Sequence, residues 1–350
     1  MSDLEKHPEE HPVPSPRGAS AGAAVADASA AGHSAADTSA AEPPAVEILE
    51  ARLVPLGGPR AIEVRRTLPQ RSRSTIGAWC FADHYGPVRL GEEAGMDVPP
   101  HPHTGLQTVS WLFEGEIDHR DSVGSHQLVR PGELNLMTAG RGISHSEVST
   151  GAEPVLHGVQ LWVALPEEAR LGDPFFEHHR GVRVALDGAV AQVFVGEMLG
   201  ASVPASVFTP LVAAQIDLEP GARVEIPLDA AWEHGVLVDS GPLAVDGVDV
   251  ARSDLAYLAP GRNATVLTAG DEGARVVLIG GEPFAEQLVM WWNFVGRSHD
   301  DVAAARERWQ DDVIAGGDAD GPFGSVEGYP GRALPAPTLP TVRLKPRRRA

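Results

Sequence analysis

The chain has 350 residues, 43% of them hydrophobic, so it is long enough for about two domains with substantial cores. Glycine (38) and proline (30) are plentiful and aromatics make up only 5%, a mix that favours many turns between short strands over long helices. With 28 Lys and Arg against 48 Asp and Glu, the formal net charge of −20 excludes unaided binding to nucleic acid or an anionic membrane, and no apolar run approaches the ~20 residues that span a bilayer.

Residues 1–45 form an Ala/Ser/Pro-rich stretch with no repeated large apolar face, and they are expected to be a disordered tail. His7, His11 and His33 lie in it as solvated side chains. The start is acidic and polar, unlike a secretory signal, so a cytoplasmic location is expected by elimination.

Residues 46–180 are expected to form a first β-barrel. Ala61 to Arg66 alternates as a strand does, and Gly77 to Ala82 supplies an apolar one. Within it Cys80, the single cysteine, can make no internal disulfide and reads as a buried reduced thiol. Asp83 to Pro87 reads as a turn, which puts His84 in a loop at the barrel mouth or makes it a fifth ligand. Leu106, Val109, Trp111 and Phe113 mark a strand, Glu114-Gly115-Glu116 a turn, and His119 to Gly124 a polar loop. There His119, like the nearby His126, is expected to be solvated. Leu134 to Met137 resumes the strand pattern, Gly140-Arg141-Gly142 reverses the chain, and Val159 to Val163 alternates again. His178 and His179 are adjacent, so in a strand they face opposite ways and form no clamp.

Residues 181–299 repeat this rhythm as a second barrel, where the histidine pattern is reduced to His234 beside Glu233, so that barrel reads as support. Residues 300–350 change period. Val302, Ala305, Trp309 and Val313 fit an amphipathic helix from Asp300 to Ile314, capped by Asp300 or Asp301 and anchored on the barrels by Trp309. A Gly/Pro-rich tail follows and ends in a basic cluster, Arg347 to Arg349, expected to be solvated.

The chemistry concentrates between His101 and Glu147. His101 and His103 are two apart, as are His145 and Glu147, so in strands each pair points to one face as a two-toothed clamp. Brought together in a small barrel, three imidazoles and one carboxylate can hold one divalent metal and leave two of six positions for water, dioxygen or a chelating substrate. This donor set suits Fe(II), Mn, Ni or Zn.

Gly95 to Gly105, with glycine six positions before the first histidine, resembles the first metal motif of the cupins. The runs from His101 to Ser110 and from Met137 to Glu147 resemble the pirin family, as do the later blocks Gly280 to Glu286 and Met290 to Val295. The resemblance covers roughly residues 50 to 345. It implies an all-β bicupin, two jelly-roll barrels in tandem with the C-terminal helix packed on them, the metal motif being confined to the first. It also implies a non-haem iron held by His101, His103, His145 and Glu147, and a dioxygenase of flavonol-type aromatic substrates similar to quercetin 2,3-dioxygenase, in which Glu147 is the candidate base. The alternative it implies is a metal- or redox-dependent regulatory protein that binds a transcription factor or metabolic enzyme. Many pirins have glutamate where this chain has Gln107, a change expected to touch hydrogen bonding near the iron.

Overall fold

The computed structural model describes residues 45–55, 62–91 and 95–346; the expected tail before residue 45 and the Arg347 to Arg349 cluster lie outside them. The fold is two β-sandwiches joined back to back, a bicupin. In the first, a seven-stranded sheet runs in the order Phe175–Arg180, Glu133–Thr138, Leu106–Glu114, Val155–Ala164, Trp79–Arg89, Glu63–Leu68, Arg52–Pro55. Facing it is a four-stranded sheet of Asp97–His103, Ile143–Ser149, Ile117–Asp121 and His126–Val129. Val64, Tyr85, Leu112 and Leu156 of the large sheet meet Val98, Ile117 and Val129 of the small one in a shared core. The second sandwich is built alike, with Val236, Leu278 and Ile216 of an eight-stranded sheet closing on Ile226, Leu243 and Leu267 of a four-stranded one.

The largest core lies between the sandwiches. Trp79 and Trp111 of the first large sheet pack with Phe194, Leu211, Leu237 and Ile279 of the second. Trp111 stacks on Phe194 at 4.2 Å and donates its indole N–H to Gln215 Oε1, and Trp79 donates to the Gly280 carbonyl. Each large sheet is thus covered on both faces, so Trp79 to Gly86 is buried at every position instead of every second one. The expected turn at 83–87 is for this reason part of one strand, Trp79–Arg89, and buried Cys80 lies in it.

Two segments sit away from their expected places. Glu47–Leu49, expected in the first barrel, pairs antiparallel with Leu255–Leu258 at the edge of the second large sheet. Arg73 reinforces that edge through Glu47 and lies over the Tyr257 ring. The segment after residue 316 packs on the outer face of the first small sheet instead of forming a free tail. Phe323 is buried against Trp309, its carbonyl accepts from Ser144 Oγ, and Leu334 N donates to the Pro100 carbonyl. The helix His299–Trp309 is capped by Ser298, with Asp301 completing a capping box; the expected cap at Asp300 or Asp301 falls two or three residues too late. Trp309 is buried as the anchor and donates to the Leu334 carbonyl. Among the described residues no helix is long and apolar enough to cross a membrane.

Candidate metal centre

Both clamps lie in the four-stranded sheet of the first sandwich. Asp97–His103 and Ile143–Ser149 pair antiparallel, with His101 opposite His145 and His103 opposite Ile143. The register slips between His145 and Glu147, where the partner strand carries Pro99 and Pro100, residues with no N–H to give the ladder. In that bulged stretch the Pro99 carbonyl accepts a hydrogen bond from His101 Nδ1 at 2.9 Å, which fixes the proton there and leaves Nε2 as a free donor of an electron pair. Gly105, at φ +69°, lets the chain turn directly under the Val295 carbonyl, where a Cβ would collide. The crossing segment then bonds Val295 N to the Thr104 carbonyl and clamps the end of the His103 strand.

The three rings converge. Centroids lie 5.0 Å apart for His101 and His103, 4.4 Å for His101 and His145, and 4.9 Å for His103 and His145, with the Nε2 atoms of His103 and His145 at 3.0 Å. Burial lowers the pKa of all three, to about 3 for His101, so the imidazoles stand neutral at pH 7. Neutral rings whose Nε2 atoms face one another cannot satisfy each other by hydrogen bonds alone, whereas a cation among them takes up every lone pair. Glu147 joins His145 from the same strand and lies close to His119. Burial pushes its carboxyl pKa up, against the opposing pull of His119 and of a hydrogen bond from Ser110. Ser110 and Gln160, from the large sheet, face Glu147 across the sandwich, and Trp162 makes a T-shaped contact with His103 at 5.2 Å.

His119 departs from expectation. Ile117–Asp121 is a strand paired with Ile143–Ser149, not a loop, and it buries Ile117, His119 and Asp121 while Asp118 and Arg120 stay half exposed. Period-two alternation was present in the sequence, hidden because two of its three inward residues are polar. His126 is exposed, as expected. Gly140 and Gly142 do not approach the histidines; Gly140 abuts the Gly172 carbonyl and Gly142 lies under Pro322 and Phe323. Gln107 is buried, but its amide donates to Thr138 Oγ1 and to the Ser206 carbonyl, in the loop between Ala201–Val203 and Leu211–Leu218 of the second sandwich.

His84 is neither a mouth loop nor a fifth ligand. It is buried between the sandwiches, where Asp239 Oδ1 accepts from His84 Nε2 at 2.7 Å and His157 Nε2 at 2.6 Å, and Oδ2 accepts from Arg275 Nε at 2.6 Å. These donors are already used by one another and by a guanidinium, so the group reads as a pin between lobes. In the second sandwich His234 is buried beside Trp232, its pKa lowered to about 4 by burial. Among the described residues no group of three potential metal ligands lies wholly within that sandwich.

Two back-to-back cupin sandwiches with one histidine-rich centre define a bicupin. The Pirin family model matches residues 61–163 and that of the pirin C-terminal cupin domain residues 213–314. A Pseudomonas aeruginosa protein whose name gives quercetin 2,3-dioxygenase as a provisional activity is 42% identical over 291 residues, 83% of this chain and 89% of that protein. Human pirin is 30% identical over 69% of this chain and 84% of its own length. A crystal structure of quercetin 2,3-dioxygenase from Acinetobacter baumannii superposes with a TM-score of 0.80 at 40% identity, covering 87% of this chain and 98% of that one. The chain belongs to the pirin family.

Proposed function

We propose that this protein is a metal-dependent dioxygenase of flavonol-type substrates, with His101, His103, His145 and Glu147 as the metal ligands. The observation that carries the reading is the convergence of three buried, neutral imidazoles, one of which, His145, has the buried Glu147 carboxylate beside it. The names of the similar Pseudomonas and Acinetobacter proteins support the substrate class. Fe(II) fits the set best as the centre of a dioxygenase, and Mn, Ni or Zn fit its donors as well. When bound, such an ion supplies Lewis acidity and a place for a chelating substrate to meet dioxygen.

The chain's own residues do the rest. His101, His103 and His145 hold a fixed neutral face, His101 with its tautomer set by Pro99. Glu147 is about as buried as His101, 5% against 4% exposed, and stands beside His145 on the same strand. A carboxylate oxygen of Glu147 is the acceptor for the proton of the flavonol 3-hydroxyl. Ser110 and Gln160 keep that carboxylate aimed. The deprotonated ring then takes up both atoms of O2, opens and releases carbon monoxide.

The test is anaerobic loading with Fe(II), followed by a panel of flavonols and oxygen. Carbon monoxide equal to the substrate consumed supports the reading. Loaded protein that consumes no flavonol but captures a protein partner in one iron oxidation state would favour the regulatory alternative. Glu147→Gln should abolish flavonol consumption while weakening metal retention much less, and equal turnover in that variant removes Glu147 as the base.

A further inference from the structure

We infer that His119 is the positioning residue of this centre, holding His145 in its metal-binding tautomer through a relay that ends on Asp121. The inference rests on the ligand set proposed above. His145 has two ring nitrogens with different neighbours: Nε2 faces His103 Nε2 at 3.0 Å, inside the imidazole cluster, and Nδ1 faces His119 Nδ1 at 3.4 Å. For Nε2 to offer a lone pair to a cation, the single proton of the neutral ring must sit on Nδ1. There it points at His119, so His119 Nδ1 must accept. His119 therefore carries its own proton on Nε2, which faces Asp121 Oδ2 at 3.3 Å.

Asp121 cannot swing away to break this chain. Its other oxygen, Oδ1, accepts from the backbone N–H of Val123 at 3.0 Å and of Ser125 at 2.9 Å. His119 is held just as firmly, since its ring stacks on Phe176 at 4.8 Å and 25° and is buried with Asp121 beneath the sheet. The order of hydrogen bonds has one consistent direction: His145 Nδ1–H to His119, His119 Nε2–H to Asp121, and Asp121 to two main-chain donors. Reversing His119 alone would set two N–H groups against each other and aim a lone pair at a carboxylate, and reversing His145 alone would set two lone pairs against each other. The strand Ile117–Asp121 delivers this support to His145 as the Pro99 carbonyl does to His101.

Two variants separate positioning from packing. His119→Phe keeps an aromatic ring against Phe176 but removes the acceptor, whereas His119→Asn places an amide oxygen close to the lost Nδ1. Co(II) serves as the probe, its affinity read by competition with a chelator and its ligand N–H protons by hyperfine-shifted proton NMR. His119→Phe should weaken Co(II) binding by about 10- to 100-fold and lose one exchangeable N–H resonance to solvent exchange. His119→Asn should recover most of the affinity and that resonance. Equal weakening in both folded variants, or full affinity and an unchanged set of N–H signals in His119→Phe, would overturn the assignment. Wild-type protein that binds no Co(II) would instead bring down the ligand set itself, and the inference with it.

Discussion

Asp239→Asn offers the sharpest test of how the two lobes hold together. The carboxylate is wholly buried and accepts three short hydrogen bonds, two from His84 and His157 on the first sandwich and one from Arg275 on its own. Charge-assisted hydrogen bonds contribute about 1.5–3 kcal/mol each, and removing one partner of a buried ion pair costs about 3–5 kcal/mol. Arg275 is about a quarter exposed and can rehydrate, which favours the lower end, so a loss of about 3 kcal/mol is expected. For lobes of this size that corresponds to a fall in Tm of about 6–12 °C.

The cost should depend on pH in a defined sense. Burial would raise the Asp239 carboxyl pKa, but hydrogen bonds from His157 and His84 and the charge of Arg275 outweigh it and hold the group well below the usual carboxylate range. A folded pKa below the unfolded value of about 3.9 gives stability that is whole above that pH and is lost as pH falls further. Urea unfolding of wild type and variant, measured at pH 7 and then below pH 4, should show a gap that narrows in acid. A loss under about 1 kcal/mol at pH 7, or a gap that widens in acid, would refute the account of Asp239 as an inter-lobe pin.

Other expectations concern the sheet that carries the proposed ligands. Phe323→Ala should cost about 3–5 kcal/mol as a buried aromatic truncation, and it should also loosen metal retention, because the ring, packed on Trp309, anchors the segment whose main-chain carbonyl accepts from Ser144 on the strand of His145; thermal melts and chelator competition check both. Gly105→Ala should lower Tm and metal affinity together, since a side chain at φ +69° is strained and would strike the Val295 carbonyl. In the metal-free protein, burial holds His101 at about 3 and lowers His103 and His145, so the unfolded state binds more protons below the ordinary histidine pKa of about 6.5. Its stability should therefore decline as pH falls from about 6.5, and saturating metal at pH 7 should raise Tm; denaturation followed across pH with and without the ion reads both.

The amino-acid sequence by itself determined the pattern of short strands, the placing of His101 with His103 and of His145 with Glu147 on two of those strands, and the anchoring Trp309. These are local signals: a two-residue period, a turn residue, an apolar position at helical spacing. What surrounds them was decided only by tertiary structure. His84 and His119 look like loop residues because their neighbours are polar, yet each is buried by strands far away in the chain: His84 meets Asp239, 155 positions on, and His119 stacks on Phe176. The Glu47–Leu49 strand and the segment around Phe323 likewise take their places from surfaces that exist only once both sandwiches have formed. A buried polar residue is recognised by the partner that satisfies it, and that partner is fixed by the packing of sheets, which no local periodicity encodes.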